Sequence, residues 1–175
     1  YFRSAPGPLL YRENDVSLPD LWKALQAGEA LTIPHHTGKF PSPVRMQPDN
    51  PAFRRNFEIY SAHGQSELYD PVHALAFEQS DFTAPALSMS AEGGMFAQDA
   101  WRKGHILSTI ASSDDHRAHP GQSHQGVVAV MSPSLNREGI FDALYQGRTY
   151  GTTGARILLD FRVNEEPMGS RIEAK

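Results

Sequence analysis

The chain has 175 residues, 39% of them hydrophobic and 21% charged, and a formal net charge of −4 at neutral pH. That balance fits one ordinary globular domain with a real core, and it gives no electrostatic reason to expect a nucleic-acid partner. Cysteine is absent, which removes disulfides, thiolate nucleophiles and thiolate metal ligands while leaving the compartment open; no apolar run is long enough to span a bilayer. The chain opens at Tyr1 with neither an initiator Met nor a signal-peptide pattern, so residues are expected to be missing upstream.

Residues 1–16 read as irregular, with a turn at Pro6-Gly7-Pro8. Ser17 then reads as a helix cap, with Pro19 in the first turn and Asp20 three residues on. Leu18, Leu21, Trp22 and Leu25 share one face of that helix, and Gly28 is its stop. Residues 30–34 predict a short strand with His35-His36-Thr37-Gly38 at its exit, followed by a Pro-rich loop through Pro51. Residues 56–60 predict a second strand, again followed by polar groups: Ser61, His63, Gly64, Ser66 and Glu67. Residues 69–89 carry no clear pattern, and residues 91–103 predict a helix leading into a strand over 104–110.

That third strand ends in Ser112-Ser113-Asp114-Asp115-His116. After Gly121 come a strand over 126–131 and a helix capped by Asn136, with Ile140, Phe141, Leu144 and Tyr145 as its apolar face and Gly147 as its stop. Ile157, Leu159, Phe161 and Val163 alternate with polar residues as in a half-exposed strand, and residues 164–167 predict a turn. Strand, polar tip and helix thus recur in the order of a βα-repeat fold, whose functional groups collect at the carboxyl ends of the strands. Four of the eight histidines, His35, His36, His63 and His116, stand just past predicted strands.

Asp114 and His116 lie two apart, so an extended backbone sends both side chains to one face. Carboxylate oxygen with imidazole nitrogen suits zinc, manganese or iron; the bland alternative is a hydrogen-bonded turn built by Ser113, Asp114 and Asp115. His35 and His36 point opposite ways in an extended segment, and His35 is the favoured ligand, with His36 behind it or on substrate. Glu58, inside a strand, either pairs with a cation or a ligand-bearing histidine or faces solvent. His63 is a ligand or catalytic candidate, Glu67 shares its loop, and His119 caps the turn or handles protons. His124 reads as surface, and His73 and His105 as structural. Residues 148–156 combine glycines and hydroxyls between Arg148 and Arg156, which fits either an anion-binding loop or a tight turn with solvated arginines.

Taken together, Ile33-Pro34-His35-His36-Thr37-Gly38, residues 58–64, residues 112–116 and Arg148-Thr149-Tyr150 with Thr153-Gly154 resemble the C-terminal part of a PHP-type (polymerase and histidinol phosphatase) metal-dependent phosphoesterase. Within that superfamily the chain is most similar to a bacterial branch known as a domain of unknown function. The resemblance covers roughly Leu31 to Gly169. It implies a distorted (β/α)7 barrel with two or three divalent transition-metal ions, zinc, manganese or iron, at the strand tips. It also implies His35, His63, Asp114 and His116 as metal ligands, and a metal-activated water attacking phosphorus while metals and arginines stabilise the developing charge. The chain departs from the pattern in having no His-x-His motif ahead of His35, and in carrying Ala155 where that branch has an acidic residue.

The expectation is therefore an α/β chain. Residues 1–156 form the C-terminal part of a PHP-like barrel whose N-terminal strands lie elsewhere in the same protein. Residues 157–175 form a final strand and the start of a small β extension. The expected activity is metal-dependent hydrolysis of a small anionic substrate, a phosphoester, with His36, Glu58, Glu67 and His119 as proton-handling or supporting groups and Arg148 and Arg156 on substrate. The rivals are an amidohydrolase-like hydrolase of C–N bonds and a non-catalytic fragment lacking half of the metal site.

Overall fold

A computed structural model describes residues 1–4, 7, 17–38, 46–70, 72–75, 96–119, 121–122 and 125–173. Pro6 and Pro8 of the expected turn, most of the Pro-rich loop, most of 69–89, the first turn of the helix expected from 91, and His124 lie outside the described residues.

Helix α1 (Leu18–Lys23) starts where its cap predicts: the Ser17 hydroxyl accepts the Asp20 amide, and Pro19 occupies the first turn. It is shorter than its apolar pattern, with Leu25 beyond its end still packed under it. Trp22, Ala30 and Phe53 form one cluster there, joined by Phe2, Leu18 and Leu25. Residues 30–34 do not pair as a strand. Ala30 makes a single bridge to Phe2, and the Leu31 and Thr32 amides donate to Tyr1 and Phe53 carbonyls instead.

The centre is a three-stranded sheet. Strand β1 (Asn56–Ser61) runs between the two-residue β2 (Gly64–Gln65), antiparallel, and β3 (Ser108–Ala111), parallel. Strand alternation sorts the two faces of β1. Phe57 and Ile59 pack with Met46 and with Ala97 and Ala100 of helix α2 (Ala97–Arg102), while on the other face the Asn56 amide donates to Ser108 Oγ and the Leu144 carbonyl. A register shift between Glu58 and Tyr60 puts one extra residue in β1, a bulge of the kind that re-aims side chains near a strand exit.

Strand β4 (Val127–Val130) is joined by helix α3 (Arg137–Tyr145) to its antiparallel partner β5 (Thr149–Thr152). The Asn136 side chain caps α3 by accepting the Gly139 amide, and Gly147, at φ +73°, ends it. Its Phe141 and Leu144 bury against Leu31 and Ile110, with Ile33, Ile140 and Tyr145 around them. The segment read as a glycine-and-hydroxyl loop is thus a strand over residues 149–152. Thr149 Oγ1 donates to the Thr109 carbonyl at 2.9 Å, and a Cβ on Gly151 would stand 2.8 Å from Ala111, so β5 lies directly on β3.

The expected strand over 157–163 pairs only at its end, as β6 (Arg162–Val163) against β7 (Glu166–Pro167). Asn164 and Glu165 both have positive φ, 49° and 66°, as a two-residue type I′ hairpin requires. Ile157, Leu158, Leu159 and Phe161 are exposed. Among the described residues the strands form these small sheets rather than a closed barrel.

Candidate metal centre

Three chain segments meet at the exits of β1 and β3. Residues 35–36 follow the Leu31 core anchor, His63 lies in the turn between β1 and β2, and Asp114 is three residues past β3. Parallel pairing of β1 with β3 brings both exits to one side, and the Ala62 amide donates to the Ser113 carbonyl across the gap at 3.3 Å. Gly126 closes the other flank, where any Cβ would stand 2.2 Å from the Ser112 carbonyl oxygen.

One oxygen is the focus. Asp114 Oδ2 has His63 Nε2 at 3.0 Å, His36 Nε2 at 3.2 Å and His35 Nε2 at 3.4 Å. It is buried, and no hydrogen bond reaches it. The backbone is strained at two of these residues, with φ +33° at His36 and +50° at Asp114, a conformation that persists only where the surroundings hold it. The His35 and His36 rings lie against each other with centroids 3.3 Å apart.

Behind this group lies Glu58, 4% exposed. Its Oε2 takes the His35 Nδ1 contact at 2.5 Å and the His36 backbone amide at 3.0 Å, and its Oε1 accepts the Ser112 hydroxyl. Burial pulls the His35 pKa down, but the hydrogen bond and charge of Glu58, with Asp114 on the other side, outweigh it, and the pKa is raised above the usual histidine value. Glu58 and Asp114 therefore favour the charged form of His35.

A divalent cation satisfies the same demand. His35, His36 and Asp114 offer ligand atoms within 4.8 Å of one another, and His63 reaches the same Asp114 oxygen. Zinc bonds of about 2.0–2.1 Å in tetrahedral geometry leave ligand atoms about 3.3–3.4 Å apart, close to the spacings around Asp114. Imidazole nitrogens with one carboxylate form a donor set for zinc, manganese or iron, and the Glu58–His35 pair has the form of the carboxylate that orients a ligand histidine.

The other candidates are placed differently. His116 is 81% exposed at its side chain, with Nδ1 2.9 Å from the Asp114 backbone carbonyl and 3.9 Å from Oδ1. His119 is exposed beside Asp115, whose carboxylate accepts the Arg117 and His119 amides and lies below the usual aspartate pKa for that reason. Glu67 turns toward α2 and accepts from Gln98 at 3.3 Å. Arg148 enters β5 at the end beside Ser108, away from Asp114, and Arg156 is exposed past the exit of β5. His105 pairs with Asp49 at 2.8 Å. A cavity of about 770 Å³ lies at the far end of β3, lined by Arg55, Ser108, Tyr145 and Phe161 among others.

Ser112 is the residue that sequence reasoning passed over. The period-two argument that pairs Asp114 with His116 also places Ser112 on their face, and its hydroxyl is the third donor to Glu58.

Three proteins of Chlamydia, each described as uncharacterized, are similar to this chain. That of Chlamydia trachomatis serovar D is 28% identical over 163 residues, covering 89% of this chain and 25% of its own length. The Chlamydia muridarum protein is 29% identical with the same coverage, and the Chlamydia pneumoniae protein is 26% identical over 161 residues, 90% of this chain and 26% of its own length. The chain spans about a quarter of the length of the curated relatives it matches. No solved structure matches it. Residues 74–166, more than half of the sequence, match the family described as Protein of unknown function (DUF3604), and the chain belongs to that family.

Proposed function

We propose that the chain carries part of the active site of a metal-dependent hydrolase of the PHP type, acting on a small phosphoester. The observation that carries the reading is Asp114 Oδ2, buried without a hydrogen bond and faced by three imidazole Nε2 atoms within 3.4 Å. A buried carboxylate oxygen faced by three imidazole nitrogens is costly unless protons or a metal cation stand between them, and a divalent ion meets all three nitrogens at once. His35, His36, His63 and Asp114 would hold the ion. Bound there, a divalent metal supplies Lewis acidity and a nucleophilic water at neutral pH.

The chain's own groups do the rest. Glu58 holds His35 and the His36 backbone in place. The parallel strands β1 and β3 fix the distance between the His63 turn and Asp114. His116 and His119 are exposed to solvent nearby in the chain, and on this reading they would be the candidates to pass a proton to a leaving group. Further ligands, and the two- or three-metal site that the PHP resemblance implies, would come from other parts of the longer protein.

Metal content by plasma mass spectrometry tests this on chain purified without chelator or His tag, with zinc or manganese added back. Bound metal in wild type, lost in Asp114→Asn without change in the circular dichroism spectrum, supports the reading. Absence of metal after add-back, in the full-length protein as well as in this chain, overturns it. Phosphoester and amide substrates, assayed on metal-loaded protein, then separate the phosphoesterase from a C–N hydrolase.

A further inference from the structure

We infer that Glu58 is a positioning residue that selects the Nδ1–H tautomer of His35 and so turns its Nε2 lone pair toward Asp114. The inference deepens the metal reading and rests on it. A neutral imidazole carries one N–H, and the partner of one nitrogen decides the role of the other. Glu58 Oε2 already accepts the His36 backbone amide at 3.0 Å, so it faces His35 Nδ1, 2.5 Å away, as an acceptor. The opposite tautomer would set a nitrogen lone pair against that oxygen and aim an N–H into the space between His35 Nε2 and Asp114 Oδ2, 3.4 Å apart.

The carboxylate cannot swing away. Its second oxygen accepts the Ser112 hydroxyl, its stem belongs to the bulged part of β1, and the residue is 4% exposed. One side chain therefore ties together the His35–His36 segment, β1 and the exit of β3. The two segments it receives donors from are those that bear His35, His36 and Asp114.

Glu58→Gln and Glu58→Ala separate this role from simple support of the fold. The Gln amide oxygen is able to accept the same two N–H groups, while its NH₂ faces Ser112; Ala offers no acceptor. The readouts are the His35 tautomer, from ¹H–¹⁵N imidazole NMR of metal-free chain at a pH well above the histidine range, and zinc affinity by competition with a chelator. Wild type and Glu58→Gln are expected to show Nδ1–H at His35. Glu58→Ala is expected to shift His35 toward Nε2–H and to lose about 10–100-fold in zinc affinity, with Glu58→Gln well above it.

An Nε2–H tautomer in wild type, or the same tautomer in Glu58→Ala as in wild type, overturns the inference. Equal loss of zinc in both variants with an unchanged tautomer also overturns it, since that is the mark of a structural role alone. Tautomer control by Glu58 with no zinc uptake by any protein upholds the inference and removes the metal reading instead.

Discussion

His63 Nε2 stands 3.0 Å from Asp114 Oδ2, although one residue lies in the turn after β1 and the other past β3. Neither residue lies in a strand; the parallel pairing of β1 and β3 makes the contact by delivering both exits to one side. Removing either group is expected to release metal. His63→Ala and His36→Ala should each lose about tenfold or more in zinc affinity, whereas His116→Ala, whose ring is exposed, should lose less. Chelator competition on the variants checks the order, and an effect of His116→Ala larger than both would overturn it.

Asp114 itself is best tested as Asn rather than Ala. Its φ of +50° is left-handed, which Asn tolerates and which costs Ala about 1–2 kcal/mol. Asp114→Asn should abolish stoichiometric metal and hydrolysis together while keeping the urea midpoint of the metal-free protein. Asp114→Ala should lower that midpoint as well.

Gly151 is the contact point between β5 and β3. A methyl group there meets Ala111 Cβ and N at 2.8 Å, and both are held by strand pairing. Gly151→Ala is therefore expected to destabilise by about 1–3 kcal/mol, read as a shift in the chemical-denaturation midpoint with an unchanged slope.

Phe57 is fully buried between Met46 and the Ala97–Ala100 face of α2. Phe57→Ala should cost about 3–5 kcal/mol. Because its neighbour Glu58 faces the other side of the sheet, the variant also reports whether loosening the α2 side reaches the histidines. Thermal unfolding and metal affinity on the same sample answer both questions.

Asp20 sets a pH dependence remote from the site. Hydrogen bonds from Lys23 and Ser17 hold its carboxyl below the usual aspartate value. A depressed folded-state pKa contributes stability that is present above the unfolded value, about 3.9, and is lost as pH falls through the folded one. Helix α1 should therefore loosen in acid below that range, and Asp20→Asn should flatten the response. Trp22 fluorescence, read from pH 6 downward (about two units above the transition), follows it.

Much of this framework is legible in the sequence because its signals are local. The Ser17 and Asn136 caps, the apolar stripe of α3 and the Val-rich β4 each specify their own conformation. Residues 30–34 mislead because an apolar run says nothing of where its amides go, and here they go to Tyr1 and Phe53. Residues 149–152 mislead in the opposite sense. Gly151 and Thr149 look like loop residues, yet they let one strand lie flat on another and bond to it. Four histidines just past predicted strands form a visible pattern, although the strand expected before His35 does not form; that three of them face one oxygen depends on the parallel register of β1 and β3 and on the grip of Glu58 on residues 35–36, pairings between distant segments that periodicity does not encode.

The groups proposed to hold the ion come from positions 35–36, 63 and 114, and no two of those segments adjoin in the unfolded chain. On the proposed reading, affinity for metal would be a property of the native state alone, and occupancy and folding would be thermodynamically linked. At free metal one hundred times the dissociation constant, linkage raises stability by about 2.7 kcal/mol, and the melting temperature should climb with metal concentration. A metal-sensitive dye added to the loaded protein would then report denaturation itself, brightening in step with the loss of the circular dichroism signal.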